Sequence, residues 1–302
     1  MIDYDPKSWL RIVLTIRGSV VPRLLGRVAI AAGLGVFAAW SYDHGGFSIP
    51  PLAHTLIGVA LGLLLVFRTN ASYGRYVEAR ELLGRVVNAT RDLARQVVVY
   101  VGDHPERAAL RADVLRWIGA FYALLVQSVR DGRDLGELGE RLGADERARL
   151  EPLRFRASVV ITWISGRLHR AHAEGHLAAE PLRAIDANLG SLIASLGGCE
   201  RIRRTPVPFA YAQHIKVFVV LFCYTVPFAM VEALHVYTPI SAAVLSFALF
   251  GIDEIGVEIE DPFGTDPNDL PMERIGETVE VSAREILAAG SLDQPRGAPI
   301  AT

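Results

Sequence analysis

Two stretches of this chain, residues 47–67 and 233–252, contain no Asp, Glu, Lys or Arg. Each is about the 20 residues an α-helix needs to cross a hydrocarbon core. Each also follows a shorter apolar partner, residues 28–42 and 217–231. Arg23 and Arg27 flank the first partner and Lys216 the second, where long basic side chains can snorkel to the interface. The pattern predicts a polytopic all-α membrane protein with four spans in two hairpins, wrapped around a large insert.

The distribution of basic residues sets an orientation. The turns at 43–50 and 232–238 lack Lys and Arg, whereas Arg11, Arg17, Arg23 and Arg27 precede the first span and the insert holds most of the rest. The positive-inside bias predicts both short turns outside, with both termini and the insert in the cytoplasm. The expected segments are a cytoplasmic N-terminus (1–27), a first hairpin (28–67) and a helical insert (68–216). A second hairpin (217–252), an acidic turn with a C-terminal helix (253–289) and a disordered tail (290–302) follow. The first apolar run begins late and has no clear cleavage site, so no removable signal is expected.

Composition excludes several classes. The chain is 51% hydrophobic with a mean hydropathy of +0.29, too apolar for a typical soluble domain and too charged for a wholly embedded one. A net charge of -2 argues against a nucleic-acid partner. Cys199 and Cys223 form no CxxC pattern and are expected reduced and structural. The insert reads as helical. Apolar residues recur near every 3.6 positions through 71–101, and no Pro or Gly cluster separates Phe67 from that stretch. The second span is therefore expected to run on as one long helix, with further helices over 108–129, 145–173 and 181–196.

Three longer motifs carry a resemblance. Residues 67–80 read Phe-Arg-Thr-Asn-Ala-Ser-Tyr-Gly-Arg-Tyr-Val-Glu-Ala-Arg. Residues 197–201 and 205–211 read Gly-Gly-Cys-Glu-Arg and Thr-Pro-Val-Pro-Phe-Ala-Tyr, and residues 261–271 read Asp-Pro-Phe-Gly-Thr-Asp-Pro-Asn-Asp-Leu-Pro. In this order around this topology they resemble the bestrophins, over nearly the whole chain. The resemblance implies a homopentameric ion channel with one central pore and a cytoplasmic vestibule, in the cell's plasma or inner membrane.

On the second span Val59, Leu63 and Phe67 share one helix face, while Gly58 and Gly62 form another that suits close helix approach. A ring of such helices stacks three apolar collars that can gate by dewetting. An aliphatic stripe on a membrane helix also packs simply against lipid or protein, and the match to the bestrophin neck is what favours a pore. Only Phe67 is aromatic, and aromatic ring edges are what would favour anions. The neck thus resembles the prokaryotic, monovalent-cation branch, with sodium-like ions as the expected cargo and chloride as the alternative. Alignment to the family places a second constriction, at the cytoplasmic exit, on Glu180. A one-residue slip would substitute Ala179 or Pro181, and Glu180-Pro181 equally suits a plain helix start.

Asp261, Asp266, Asn268 and Asp269 match the block that holds calcium in animal bestrophins, but Thr265, Pro267 and Asn268 interrupt the acidic run. The expected role is a rigid turn rather than a calcium clasp, and Asp253 to Glu260 suit hard-oxygen ligands and a solvated face equally well. His169, His172 and His176 approach metal-ligand spacing, yet nothing completes the set, so no metal or cofactor is expected. Arg201, Arg203 and Arg204 read as a topology anchor, or as contacts to anionic membrane lipids. No catalytic motif is present. A membrane enzyme would need polar groups converging inside the spans, and a transporter intramembrane charge and broken spans. A non-conducting scaffold is the remaining alternative.

Overall fold

Helix α3 is the longest element, Pro51–Gln96, roughly 70 Å at 1.5 Å per residue. Proline opens it where an amide is not needed, and nothing between Phe67 and Gln96 interrupts the helical period. The second apolar stretch therefore does continue as one helix, ending in a π-helical turn of β-branched and aromatic residues, Val97–Val101. The computed structural model describes residues 5–101, 107–139 and 141–289, so the expected tail at 290–302 lies outside the described residues. Among the described residues the chain is helical and contains no strand.

Two compact units share the chain. One takes the residues up to Val77 with Thr205–Asp269, the other Glu78–Arg204 with the residues from Leu270. In the first unit α1 (Trp9–Leu14) precedes α2 (Val21–Asp43), and α8 (Phe209–Leu234) is joined to α9 (Thr238–Glu258) by a single 3-10 turn, His235–Tyr237. His235 takes φ 43 and ψ -118, outside helical space, and ends α8. Among the described residues three stretches are long and apolar enough to cross a membrane: α2, Pro51–Val101, and Phe209–Glu258, which contains both α8 and α9.

The packing of this unit follows from small residues and aliphatic knobs. A Cβ on Gly35 of α2 would sit 2.7 Å from the Cα of Pro239, so α2 and α9 approach with no side chain between them. Leu24, Leu61, Leu65, Ile215, Val219, Phe222, Val226 and Phe250 form the buried core where α2, α3, α8 and α9 meet. The non-helical link before α3 is tied down by the Ile49 amide donating to the Phe228 carbonyl at 2.9 Å, and Phe47 stacks on Phe228.

Helix α2 extends beyond the apolar stretch 28–42: it begins at Val21, with Pro22 in its first turn, so Arg23 and Arg27 lie inside the helix. Neither they nor Lys216 snorkel freely, since all three pair with carboxylates of α9.

The second unit contains the rest of α3, α4 (Ala108–Val129), α5 (Ala144–Leu150), α6 (Arg156–Ala173), α7 (Ala179–Arg204) and α10 (Met272–Ala289). The helical pattern over 145–173 is broken, because Pro152 cannot continue a helix and the chain turns between α5 and α6. Helix α4 is the hub, burying Val114, Ile118, Phe121 and Leu125, and it packs on α6 and α10. Arg141–Glu280, Arg130–Glu273 and the Tyr122 hydroxyl donating to the Met272 carbonyl pin α10 in place.

Candidate functional site

Side chains on the apolar half of α3 sort by direction. Leu61 and Leu65 point into the core, while Val59, Leu63 and Phe67 are 63, 56 and 63% exposed. Asn70 and Gly74 prolong the exposed stripe by one helical turn each. The two glycines differ. A Cβ on Gly58 would lie 3.2 Å from the Phe222 ring, so Gly58 is a true close approach to α8, whereas a Cβ on Gly62 would meet nothing within 4 Å. The expectation of one shared packing face therefore holds for Gly58 only.

Arg68, the residue after Phe67, turns inward. It is 2% exposed and pairs with the buried Asp253 carboxylate, whose second oxygen accepts from Lys216 Nζ at 3.2 Å. Beside this triad, Arg27 reaches Glu254 at 3.0 Å and Arg23 reaches Glu258 at 3.4 Å. The expected solvated face at Asp253 to Glu260 is thus overturned: Asp253, Glu254 and Glu258 are all buried against basic partners. Sequence reasoning missed this network, although a signal was present. Arg23 and Arg27 are four apart on α2, and Glu254 and Glu258 are four apart on α9. Two antiparallel helices bring such pairs into register.

The turn that follows is tied internally. Asp269 accepts from the Asp266 amide at 2.7 Å, and the Asn268 amide donates to Glu258 at 2.7 Å and to the Gly18 carbonyl at 2.9 Å. Burial and the neighbouring carboxylates of Asp266, Asp261 and Glu258 push the Asp269 carboxyl up to about 6. The Asn268 amide thus stands where the acceptor oxygens of Gly18 and Glu258 converge. Among the described residues no three His, Cys, Asp or Glu side chains are placed to hold a metal ion. His172 instead engages the Leu177 carbonyl at 2.6 Å, and His176 lies 3.7 Å from Glu174.

Glu180 sits exposed in the first turn of α7, ahead of Pro181. Arg201 pairs with Glu78 and Arg203 with Asp131, so these two face protein partners rather than standing free as anchors. Both cysteines are free and buried, and burial pushes the Cys199 thiol up to about 12, which makes it inert. His54, the polar group in the second apolar stretch, meets the Thr225 hydroxyl at 2.9 Å.

Residues 1–285 match the family model for Bacterial/Fungal Bestrophin protein. The chain belongs to the bestrophin family. It is 35% identical over 288 residues to the voltage-dependent anion channel-forming protein sll1024 of Synechocystis, covering 94% of this chain and 93% of the relative. It is 32% identical over 285 residues to the voltage-dependent anion channel-forming protein YneE of Escherichia coli K12, covering 93% and 92%. A crystal structure of a bacterial bestrophin homologue from Klebsiella pneumoniae matches with a TM-score of 0.82 at 30% identity, over 87% of this chain and 98% of that one. This bestrophin is accordingly an all-helical, multi-pass membrane protein and not an enzyme.

The family motifs acquire a physical reading in this bestrophin. Arg75, from the first motif, donates to the Thr205 carbonyl at the start of the second and to the Glu260 carbonyl before the third. Tyr76 donates to the Asn268 carbonyl, and Glu260 accepts from the Val207 amide. Arg75 thus joins the three motifs through the backbone carbonyls of Thr205 and Glu260.

Proposed function

We propose that this bestrophin conducts monovalent ions passively through a homopentamer in the cell membrane, with both termini on the cytoplasmic side. Val59, Leu63 and Phe67 form the neck, and Glu180 the cytoplasmic exit. The observation that carries the reading is the exposed stripe on α3. Three large apolar side chains stand off the core on one face, and the adjacent Arg68 is held inward by ionic contacts, so that face is presented outward as a fixed surface. Five such faces around an axis make apolar collars wide enough for water only when open. Channel-forming relatives and the bestrophin fold support the same reading.

Cations are the favoured cargo. Two of the three collars are aliphatic and offer anions no positive ring edge, and exposed Glu180 carboxylates around an axis attract cations. A specific observation favours a second reading, anion conduction: the relatives are named as anion channel-forming proteins. Purified protein in a planar bilayer under a NaCl gradient separates the two. The expected reversal potential lies on the sodium side and moves toward zero in Glu180→Ala. Reversal on the chloride side would establish the anion reading. An unchanged ratio in the variant would remove Glu180 from the exit.

A further inference from the structure

A cavity of about 420 Å3 opens in the second unit, between the end of α4, the turn at 131–133, the loop at 151–155 and the last turns of α7. Its walls are fixed in advance. Arg156 spends its whole guanidinium on backbone carbonyls, those of Leu150 and Leu153 at 3.1 Å, Arg133 at 3.0 Å and Glu151 at 2.7 Å. Asp131, at a left-handed φ of 55, is held by Arg203 at 3.1 Å.

The lining is chemically unbalanced. Arg133, Arg154 and Arg204 line the cavity and among the described residues none of them forms an ion pair, although Arg154 lies over the Phe155 ring at 5.6 Å and the Glu151 carboxylate also lines it. Glu200, one helical turn before Arg204 on the same face of α7, also lacks a cationic partner among the described residues. Gln127 donates its amide to the Asp134 carbonyl, but its Oε1 is buried with no hydrogen-bond partner. A buried acceptor left open costs free energy that a ligand's donor would recover.

Three open guanidiniums call for an oxyanion with several oxygens, since forked donors match phosphate. The open acceptors on Gln127 and Glu200 call for hydroxyl donors on the same molecule. Bare phosphate meets the first demand and is repelled by Glu200. The volume lies within the usual range for small-molecule sites. We propose that this cavity binds a small phosphoester carrying hydroxyl groups, with the arginines taking the phosphate and Glu200 and Gln127 the hydroxyls. The site lies on residues apart from the neck and exit and does not require that ions be conducted.

Isothermal titration calorimetry on the purified full chain in detergent tests it, with ribose 5-phosphate and inorganic phosphate as probes. Ribose 5-phosphate is expected to saturate at one per chain, at least about tenfold more tightly than inorganic phosphate. Arg154→Gln combined with Arg204→Gln loses that binding by about tenfold or more, with the thermal midpoint of the free protein unchanged. Glu200→Gln weakens ribose 5-phosphate and strengthens inorganic phosphate. Saturation by neither probe overturns the proposal. So does equal affinity for both, which would mark a bare anion site, or binding indifferent to the paired arginine substitutions.

Discussion

Phe67 and Arg68 are adjacent in the chain and about 100° apart around α3, and the structure sends them to opposite environments. Arg68 acts as a peg that fixes the rotation of α3, since a buried guanidinium cannot leave Asp253 without losing its nearest counter-charge, Glu260 lying farther off at 4.0 Å. Removing one partner of a buried pair typically costs about 3–5 kcal/mol. Asp253→Leu is expected to fall in that range in thermal unfolding in detergent, because it leaves the buried Arg68 only the 4.0 Å contact to Glu260 and takes the carboxylate from Lys216. Arg68→Met is expected to cost less, because Asp253 keeps Lys216. Arg68→Met with Asp253→Leu is expected to recover most of the loss; strict additivity of the singles would refute the peg. Asp269 gives a pH prediction. Its folded carboxyl titrates near 6 against about 3.8 unfolded. The folded state therefore holds the proton more tightly in that window, and stability falls as pH rises through it. Lowering the pH from 7 to 5 is expected to raise the unfolding midpoint, and Asp269→Asn to flatten that dependence. A midpoint that drops with acidification in wild type, and equally in the variant, would rule the assignment out.

At the level of elements, the glycines show what periodicity cannot. Gly33 and Gly35 lie two apart on α2, yet only Gly35 abuts backbone, at Pro239. Backbone cannot yield as a flexible side chain can. Gly35→Ala is expected to destabilise by about 1–3 kcal/mol, and Gly33→Ala to be neutral or to gain up to about 1 kcal/mol of helix propensity. Paired melting curves decide the matter, and equal effects would discount the close approach. Gly198 on α7 is a softer case, since an added Cβ would meet both Leu82 methyls at 2.8 Å. There Leu82→Ala is expected to rescue Gly198→Ala, which no substitution at Pro239 can do for Gly35. The helices themselves were largely legible: α3 runs unbroken as its period predicts. The break between α5 and α6 was passed over, although Pro152 marks it.

For the whole molecule, the proposed pentamer would account for the exposure of Val59, Leu63 and Phe67. A monomer would leave Val59, Leu63 and Phe67 facing lipid, whereas a pentamer turns them toward water. Native mass spectrometry is expected to give five chains. Cysteines at positions 59 and 63 are expected to react with small water-soluble thiol reagents, and Leu63→Ser, by wetting its collar, to raise conductance several-fold. Labelling only by lipid-soluble reagents would place the stripe against the bilayer and end the pore reading.

The amino-acid sequence by itself determined the helical class, the apolar stretches and the stripe on α3, because periodicity and hydropathy are local properties of a chain. Its motifs likewise sufficed to point to the bestrophins. What the tertiary structure alone decided was the fate of the charges. Asp253, Glu254 and Glu258 look like a solvated run until α2, α3 and α8 bring Arg27, Arg23, Arg68 and Lys216 against them. Asn268 looks like a gap in an acidic loop until Gly18 and Glu258 converge on it. A charge is buried or solvated according to partners on other elements, 185 to 235 residues away for Arg68, Arg27 and Arg23, and no local pattern carries that information.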